Sequence, residues 1–385
     1  MKAVSVINTA FDNHDNSADT YIYDTFSVLH SMPELSFKEY RTGKFVSEQL
    51  ESFGFEVITN INGSTAVMGV LKSDKPGPII VLRADMDALP YKKDDGTEIA
   101  LHTCGHDGHS AMLLACARII AAEGGLPRGE LRVLFQPAEE IMLGAKCVIE
   151  SGVINDADAV VGIHLRPAAE AKLHEATPAL CHGAFCELDY EILGKTAHGA
   201  RPQLGVNAIE AATAAIMSVA AIHLDAAVPH SIKPTRIESG KNATNVIPEK
   251  VNLTFDARSQ TNKVMDELIE KADRAVTMAA ESLGAKVGVV SQERTVAAEY
   301  DPKLYKCAVR AIEKVLGSAL APIYTTGSED FHYFSYLAGL KTVYIGLGAD
   351  MKAGLHSRDM SFDISALADG VSILHETVHQ IIDAL

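Results

Sequence analysis

Eight residues constrain this chain more than any others: His102-Thr103-Cys104-Gly105-His106-Asp107-Gly108-His109. Three imidazoles, a thiol and a carboxylate, interleaved with two glycines, answer no packing need. Converging soft and borderline donors on a sharply bent backbone is what a zinc-like cation requires. The plain alternative is a polar turn entering a helix, with incidental histidines. A metal centre draws donors from more than one segment, so the rest of the chain decides between the two.

The chain has 385 residues, enough for two or three domains or one elaborated domain with a large core. With 47% hydrophobic and 22% charged residues it has the profile of an ordinary folded protein. Lys plus Arg total 34 against 50 for Asp plus Glu, a net charge of −16. That balance excludes the basic footprint which nucleic acid or an anionic membrane demands. No apolar run approaches the roughly 20 residues that span a bilayer. The N-terminal apolar stretch Ala3–Ile7 gives way at once to Asn8, Asp12, Asn13, His14 and Asp15, too soon for a secretory signal. The expected compartment is the cytoplasm. Six cysteines in such a chain are not expected to form disulfides. Cys116 and Cys307 lie in apolar helical runs, as small hydrophobes do.

Apolar spacing predicts two helices over 20–53, divided by Pro33, then strands at 56–61, 65–71 and 78–82. The third runs into Arg83-Ala84-Asp85-Met86-Asp87. A helix from Ser110 is followed by the buried strand 131–135, which ends in Gln136-Pro137-Ala138-Glu139-Glu140. Another strand, 157–161, leads to Gly162-Ile163-His164. Alternating strands and helices imply a mostly parallel sheet, and functional groups in such sheets gather past the strands' carboxyl ends. The pattern changes near residue 184. Strand 185–193, helix 206–227, strands 235–239 and 251–258, helix 262–283 and strand 286–290 follow in the order β-α-β-β-α-β, a split βαβ unit. The fold class is therefore α/β: a catalytic domain over 1–183 and 298–385, with an α+β domain inserted at 184–297.

Strand ends and turns collect Asp85, Asp87, Cys104, His106, Glu139, Glu140, His164 and His356. That is enough for two metal ions clamping a water and a carbonyl oxygen. The adjacent carboxylates suit a division of labour, one ligating while its neighbour moves a proton.

These motifs, with His30-x-x-Pro33-Glu34-Leu35-Ser36-Phe37, Gly194-Lys195-Thr196-Ala197-His198, Asn245-Val246-Ile247-Pro248, Gly327-Ser328-Glu329-Asp330-Phe331 and Leu355-His356-Ser357, run through nearly the whole chain. In their order the chain resembles the metal-dependent amidohydrolases that include hippurate hydrolase, N-acyl-amino-acid amidohydrolases and auxin-conjugate hydrolases. These are related to carboxypeptidase G and aminoacylase metallopeptidases. The resemblance implies that Cys104, His106, Glu140, His164 and His356 bind two divalent ions, with Cys104 bridging. Zinc is favoured; manganese, cobalt or nickel are possible occupants. It implies Glu139 as general base on a metal-bound water and Asp87 as the carboxylate orienting a ligand. His102 and His109 are left to orienting or capping roles. The inserted domain, ferredoxin-like, would form a homodimer, with His198 polarising the scissile carbonyl in its own subunit or across the dimer. Asn245, Arg258 and Ser328 would bind substrate, the Arg fork matching a carboxylate. The expected reaction splits an N-acyl amino acid into a carboxylic acid and a free amino acid. Alternatives are a dipeptidase or aminopeptidase, an N-acetyl-diaminopimelate deacetylase, or a catalytically silent, metal-stabilised dimeric binding protein.

Overall fold

The computed structural model describes residues 18–240, 243–325 and 327–385. The N-terminal stretch read above, with His14, and residues 241, 242 and 326 lie outside the described residues.

The chain divides into two compact units. The first takes residues up to Leu180, Tyr300–Ile323 and Tyr333–Leu385. The second takes Cys181–Glu299 and also Tyr324–His332, a segment that sequence alone assigns to the catalytic domain.

In the first unit four strands run parallel at the centre of a seven-stranded sheet: Glu130–Gln136, Ile79–Asp85, Ala159–Pro167 and Thr342–Met351. Strands joined by antiparallel pairing flank them, Val67–Lys72 and then Glu56–Ile58 on one side and Ala176–Thr177 on the other. Strand Ile79–Asp85 is buried along nearly its whole length, which is why it reads as a continuous apolar run rather than an alternating one. Helices Ala18–His30, His106–Ala122 and Ala366–Ala384 pack through Ile22, Leu29, Leu113 and Leu374 into the core that includes Ile80, Leu82 and Val161. Strand Ala159–Pro167 is longer than the apolar run suggests. Its pairing with the 342–351 strand carries through His164 opposite Gly346, so His164 lies within the strand rather than past its end.

The second unit is a four-stranded antiparallel sheet in the order His230–Ser239, Lys250–Ser259, Ala184–Leu193, Lys286–Thr295. Numbered along the chain, this is 2-3-1-4, the arrangement of a split βαβ unit. Strand Ala184–Leu193 alternates buried and half-buried positions, so one face packs while the other stays partly open. Helices Ala208–Ala220 and Asn262–Ser282 join that core through Ala211, Ala215, Met265 and Leu268. The first of these helices stops well before Ala227, where the apolar run had suggested its end. The Asp225 carboxylate accepts the Ala227 N–H at 2.9 Å, a side-chain turn that competes with helix just ahead of Pro229.

Among the described residues no helix is long and apolar enough to cross a membrane. All six cysteines are free thiols.

Candidate metal centre

The 102–109 segment bends at Gly105, whose φ of +92° caps the His106–Ala122 helix. A side chain there would be strained by the backbone and would also meet Leu165 at 3.0 Å. The bend brings Cys104 and His106 against the carboxyl ends of the parallel strands. Donor atoms of Cys104, His106 and His164 lie within 4.8 Å of one another. So do those of Cys104, Glu140 and His356, and those of His106, Glu139 and Glu140. The two sulfur-containing groups share Cys104.

The orientation of each imidazole follows from its other ring nitrogen. His106 Nδ1 faces the Asp87 carbonyl at 2.9 Å, and His164 Nδ1 faces the Leu165 carbonyl at 2.6 Å. A carbonyl only accepts, so both protons sit on Nδ1 and both Nε2 lone pairs face the cluster. His164 Nε2 comes within 3.6 Å of Cys104 Sγ. His106 Nε2 is fully buried without a hydrogen-bond partner, and so is Glu140 Oε1. Buried polar atoms left open in this way are rare, and a cation would satisfy both. His356 stands on a loop with φ of +63°, its N–H donated to the Thr103 carbonyl at 2.7 Å and its own carbonyl receiving the Tyr91 hydroxyl at 2.7 Å. Its Nε2 reaches Glu140 Oε2 at 3.4 Å.

Asp87 holds this corner together. Its two carboxylate oxygens accept the backbone N–H groups of Glu139 and Glu140, each at 3.1 Å, and the Ser36 hydroxyl at 2.7 Å. Against the desolvation of burial, which pushes a carboxyl up, the His106 bond keeps Asp87 below its usual range. Asp85 is committed differently, to Arg83 at 2.7 Å and to His109 Nδ1 at 2.7 Å. Burial alone would raise it, but His106, His109 and Arg83 hold it well below the ordinary carboxylate range. His109 spends its remaining nitrogen accepting the Leu165 N–H at 2.9 Å. Asp85 and His109 also lie within 4.8 Å of the His106 donor, but each already has hydrogen-bond partners on both polar atoms.

The site is short of positive charge. Burial opposes a proton on His106, yet Asp85 and Cys104 raise its affinity for one well above the ordinary imidazole value. Burial pushes the Cys104 thiol up, and pushes Glu140 up to about 7. A divalent cation answers each of these strains at once, and a sulfur, nitrogen and oxygen donor set fits a zinc-like ion.

Sequence reasoning missed Glu39. It is completely buried, and one carboxylate oxygen accepts both the Phe37 N–H at 3.0 Å and the Ala138 N–H at 3.1 Å. The other oxygen takes the Thr65 hydroxyl. Ala138, at φ of +57°, is the residue before Glu139, so Glu39 fastens the turn that carries both glutamates. A glutamate beside a helix start reads as a capping group, and no local pattern shows it inside. Burial pushes its carboxyl up to about 7. A raised carboxyl favours the folded state when protonated, so its contribution is full below its ordinary value of 4.5 and fades as pH rises through about 7. Glu39→Ala, leaving two N–H groups unanswered, should cost about 2–4 kcal/mol in urea melts at pH 6. Glu39→Gln keeps an acceptor and should stay within about 1 kcal/mol of the parent there. Equal losses in the two variants would refute the fastening role.

The remaining candidates belong to the second unit. The two-residue ribbon Ala197–His198 with Val246–Ile247 sets His198 beside Asn245, whose carbonyl receives the Gly199 N–H at 2.7 Å. His198 Nδ1 accepts the Ala200 N–H at 3.1 Å, leaving its proton on an exposed Nε2. Arg258 lies over the Phe185 ring at 5.0 Å and forks onto Asp256 at 2.9 and 3.0 Å. Ser328 meets the Thr295 hydroxyl at 3.1 Å. Phe185 pairs with both Arg258 and Thr295, so Arg258 and Ser328 lie toward one end of the sheet. His198 and Asn245 lie beyond the Leu193–Lys250 pair at the other end. From Arg258 to Lys250 along the strand is about 26 Å, at roughly 3.3 Å per residue.

Residues 81–380 match the family model "Peptidase family M20/M25/M40". Thermostable carboxypeptidase 2 of Saccharolobus solfataricus is 31% identical over 360 residues, covering 91% of each chain. The N-acyl-L-amino acid amidohydrolase of Geobacillus stearothermophilus is 34% identical over 267 residues, 67% of this chain and 72% of that one. In fold the chain resembles the Bacillus subtilis YXEP protein, described as a dinuclear metal binding peptidase. The TM-score is 0.80 at 24% identity, covering 96% of this chain and 100% of that one. With a metal-ready cluster on a matching fold and a family match across most of its length, the chain belongs to peptidase family M20/M25/M40.

Proposed function

We propose that this chain is a two-metal amidohydrolase that cleaves N-acyl amino acids to a carboxylic acid and a free amino acid. The observation that carries the reading is the pair of donor groups sharing Cys104, with Glu139 and Glu140 fixed beside them by one carboxylate. Cys104, His106, Glu140, His164 and His356 are the proposed ligands, zinc the favoured metal, and Cys104 the bridge. Such ions lower the pKa of water and polarise a carbonyl. Glu139 takes the proton of the attacking water and returns it to the departing nitrogen. Asp87 holds His106 and both glutamates in register for that exchange. Arg258 and Ser328 are proposed to receive the substrate carboxylate and its surroundings, Asp256 orienting the Arg fork until the substrate arrives.

His198, through its Nε2 proton, is proposed to stabilise the oxygen of the scissile carbonyl, with Asn245 beside it. No small substrate bridges the distance between these two residues and Arg258 within one copy. That distance agrees with a homodimer in which His198 and Arg258 of one copy serve different substrates, and His198 is proposed to serve the partner's. His198→Ala should lower turnover about 10²- to 10³-fold while metal content stays unchanged. Mixed and re-equilibrated with Glu139→Gln, it should regain activity, because one hybrid site then holds both intact groups. No recovery in hybrids shown to have formed would mean that His198 acts within its own subunit.

A carboxypeptidase reading is favoured by the relative matched over 91% of the chain. Both reactions cut an amide whose amine side is an amino acid with a free carboxylate. N-acetyl, N-benzoyl and indole-acetyl amino acids should be assayed beside dipeptides and N-acetyl-diaminopimelate, each metal being restored after chelation. Faster turnover of dipeptides selects the peptidase, and preference for the diaminopimelate compound selects the deacetylase. Binding without turnover on any metal would select a silent binding protein.

A further inference from the structure

We propose that Glu123, His375 and His379 form a third, peripheral metal site, for a transition-metal ion such as Zn2+, outside the catalytic cluster. His375 and His379 are four residues apart on the Ala366–Ala384 helix and so share a face. Glu123 caps the carboxyl end of the His106–Ala122 helix. Donor atoms of all three lie within 4.8 Å of one another, and all three side chains are solvent-accessible.

The spacing of the two imidazole nitrogens is that a shared ion would set, with the carboxylate close to both. Two ligands about 2.05 Å from a tetrahedral zinc lie about 3.3 Å apart. The two Nε2 atoms are 3.3 Å apart, and Glu123 Oε2 lies 2.9 Å from one and 3.9 Å from the other. Hydrogen bonding serves the same arrangement poorly. His375 Nε2 carries either one proton or one lone pair, yet it faces both the Glu123 carboxylate and His379 Nε2. One proton on His375 Nε2, aimed at the carboxylate, can at most be shared with a lone pair on His379 Nε2. A cation between the three satisfies every donor, and water completes its coordination from the open side. Bound there, it would tie the C-terminal helix to the far end of the helix whose first residue is His106.

The test is a zinc count. Holoenzyme, the His375→Ala/His379→Ala double variant and Glu123→Gln are dialysed against the same low-micromolar ZnCl2 and compared by elemental analysis. The parent should hold about one zinc per chain more than the double variant, and Glu123→Gln should bind that ion at least about tenfold more weakly. Melting in the same zinc should rise in the parent relative to the double variant. Equal zinc in the parent and double variant, or parental affinity in Glu123→Gln, overturns the site. The count is a difference between proteins with the same catalytic cluster, so it stands whatever reaction that cluster performs.

Discussion

Glu139→Gln is expected to cut turnover about 10²- to 10⁴-fold, the range assigned to a positioned acid or base, while metal content and folding remain as in the parent. The substitution preserves shape. The Glu139 backbone stays clamped by Asp87, and its side chain remains almost fully enclosed. An amide cannot accept a proton from water or return one to an amine, so only the proton-transfer step is removed. Steady-state kinetics with elemental analysis on the same preparation measure both halves. A variant within tenfold of the parent would take Glu139 out of the reaction. Loss of metal together with activity would make it a ligand instead.

Cys104→Ser should break the centre at its shared donor. A serine hydroxyl stays protonated where a thiolate would bind, and both sulfur-containing donor groups include this residue. Metal affinity should fall by at least about 10²-fold, and dialysed protein should keep fewer ions per chain than the parent. Unchanged stoichiometry and affinity would exclude the cysteine. The parent has a related pH dependence. Burial pushes metal-free Glu140 up to about 7, so below that pH a proton competes with the cation. Uptake should strengthen as pH rises through about 7, and keep strengthening above it because His106 and Cys104 also hold their protons more tightly than usual, as titration calorimetry at several pH values would register.

The parallel core is legible from sequence because runs such as 79–82 and 131–135 are buried on both faces, and the split βαβ order because its elements are long and well spaced. The residues the structure gathers around Cys104 are equally legible, since cysteine, histidine and paired glutamates have little other reason to be there. Commitments made across the fold are not. Asp85 looks like an open carboxylate until Arg83 and His109 claim it, and Glu39 looks like a surface cap until Ala138 lies against it. Nor does spacing reveal that His198 and Arg258 stand at opposite ends of one sheet. Strand register settles that, and register is a property of pairing.

The order of the central strands also has a kinetic side. Cys104, Glu140 and His164 precede the second unit in sequence, while His356 and the 342–351 strand that pairs beside His164 follow it. A ribosome adding about 5–20 residues per second needs about 10–40 s to pass from residue 164 to residue 356. Throughout that interval the nascent chain holds Cys104, Glu140 and His164 without His356. On the ligand set proposed above, the site would be whole only once the 342–351 strand has paired beside His164 and His356 has followed it.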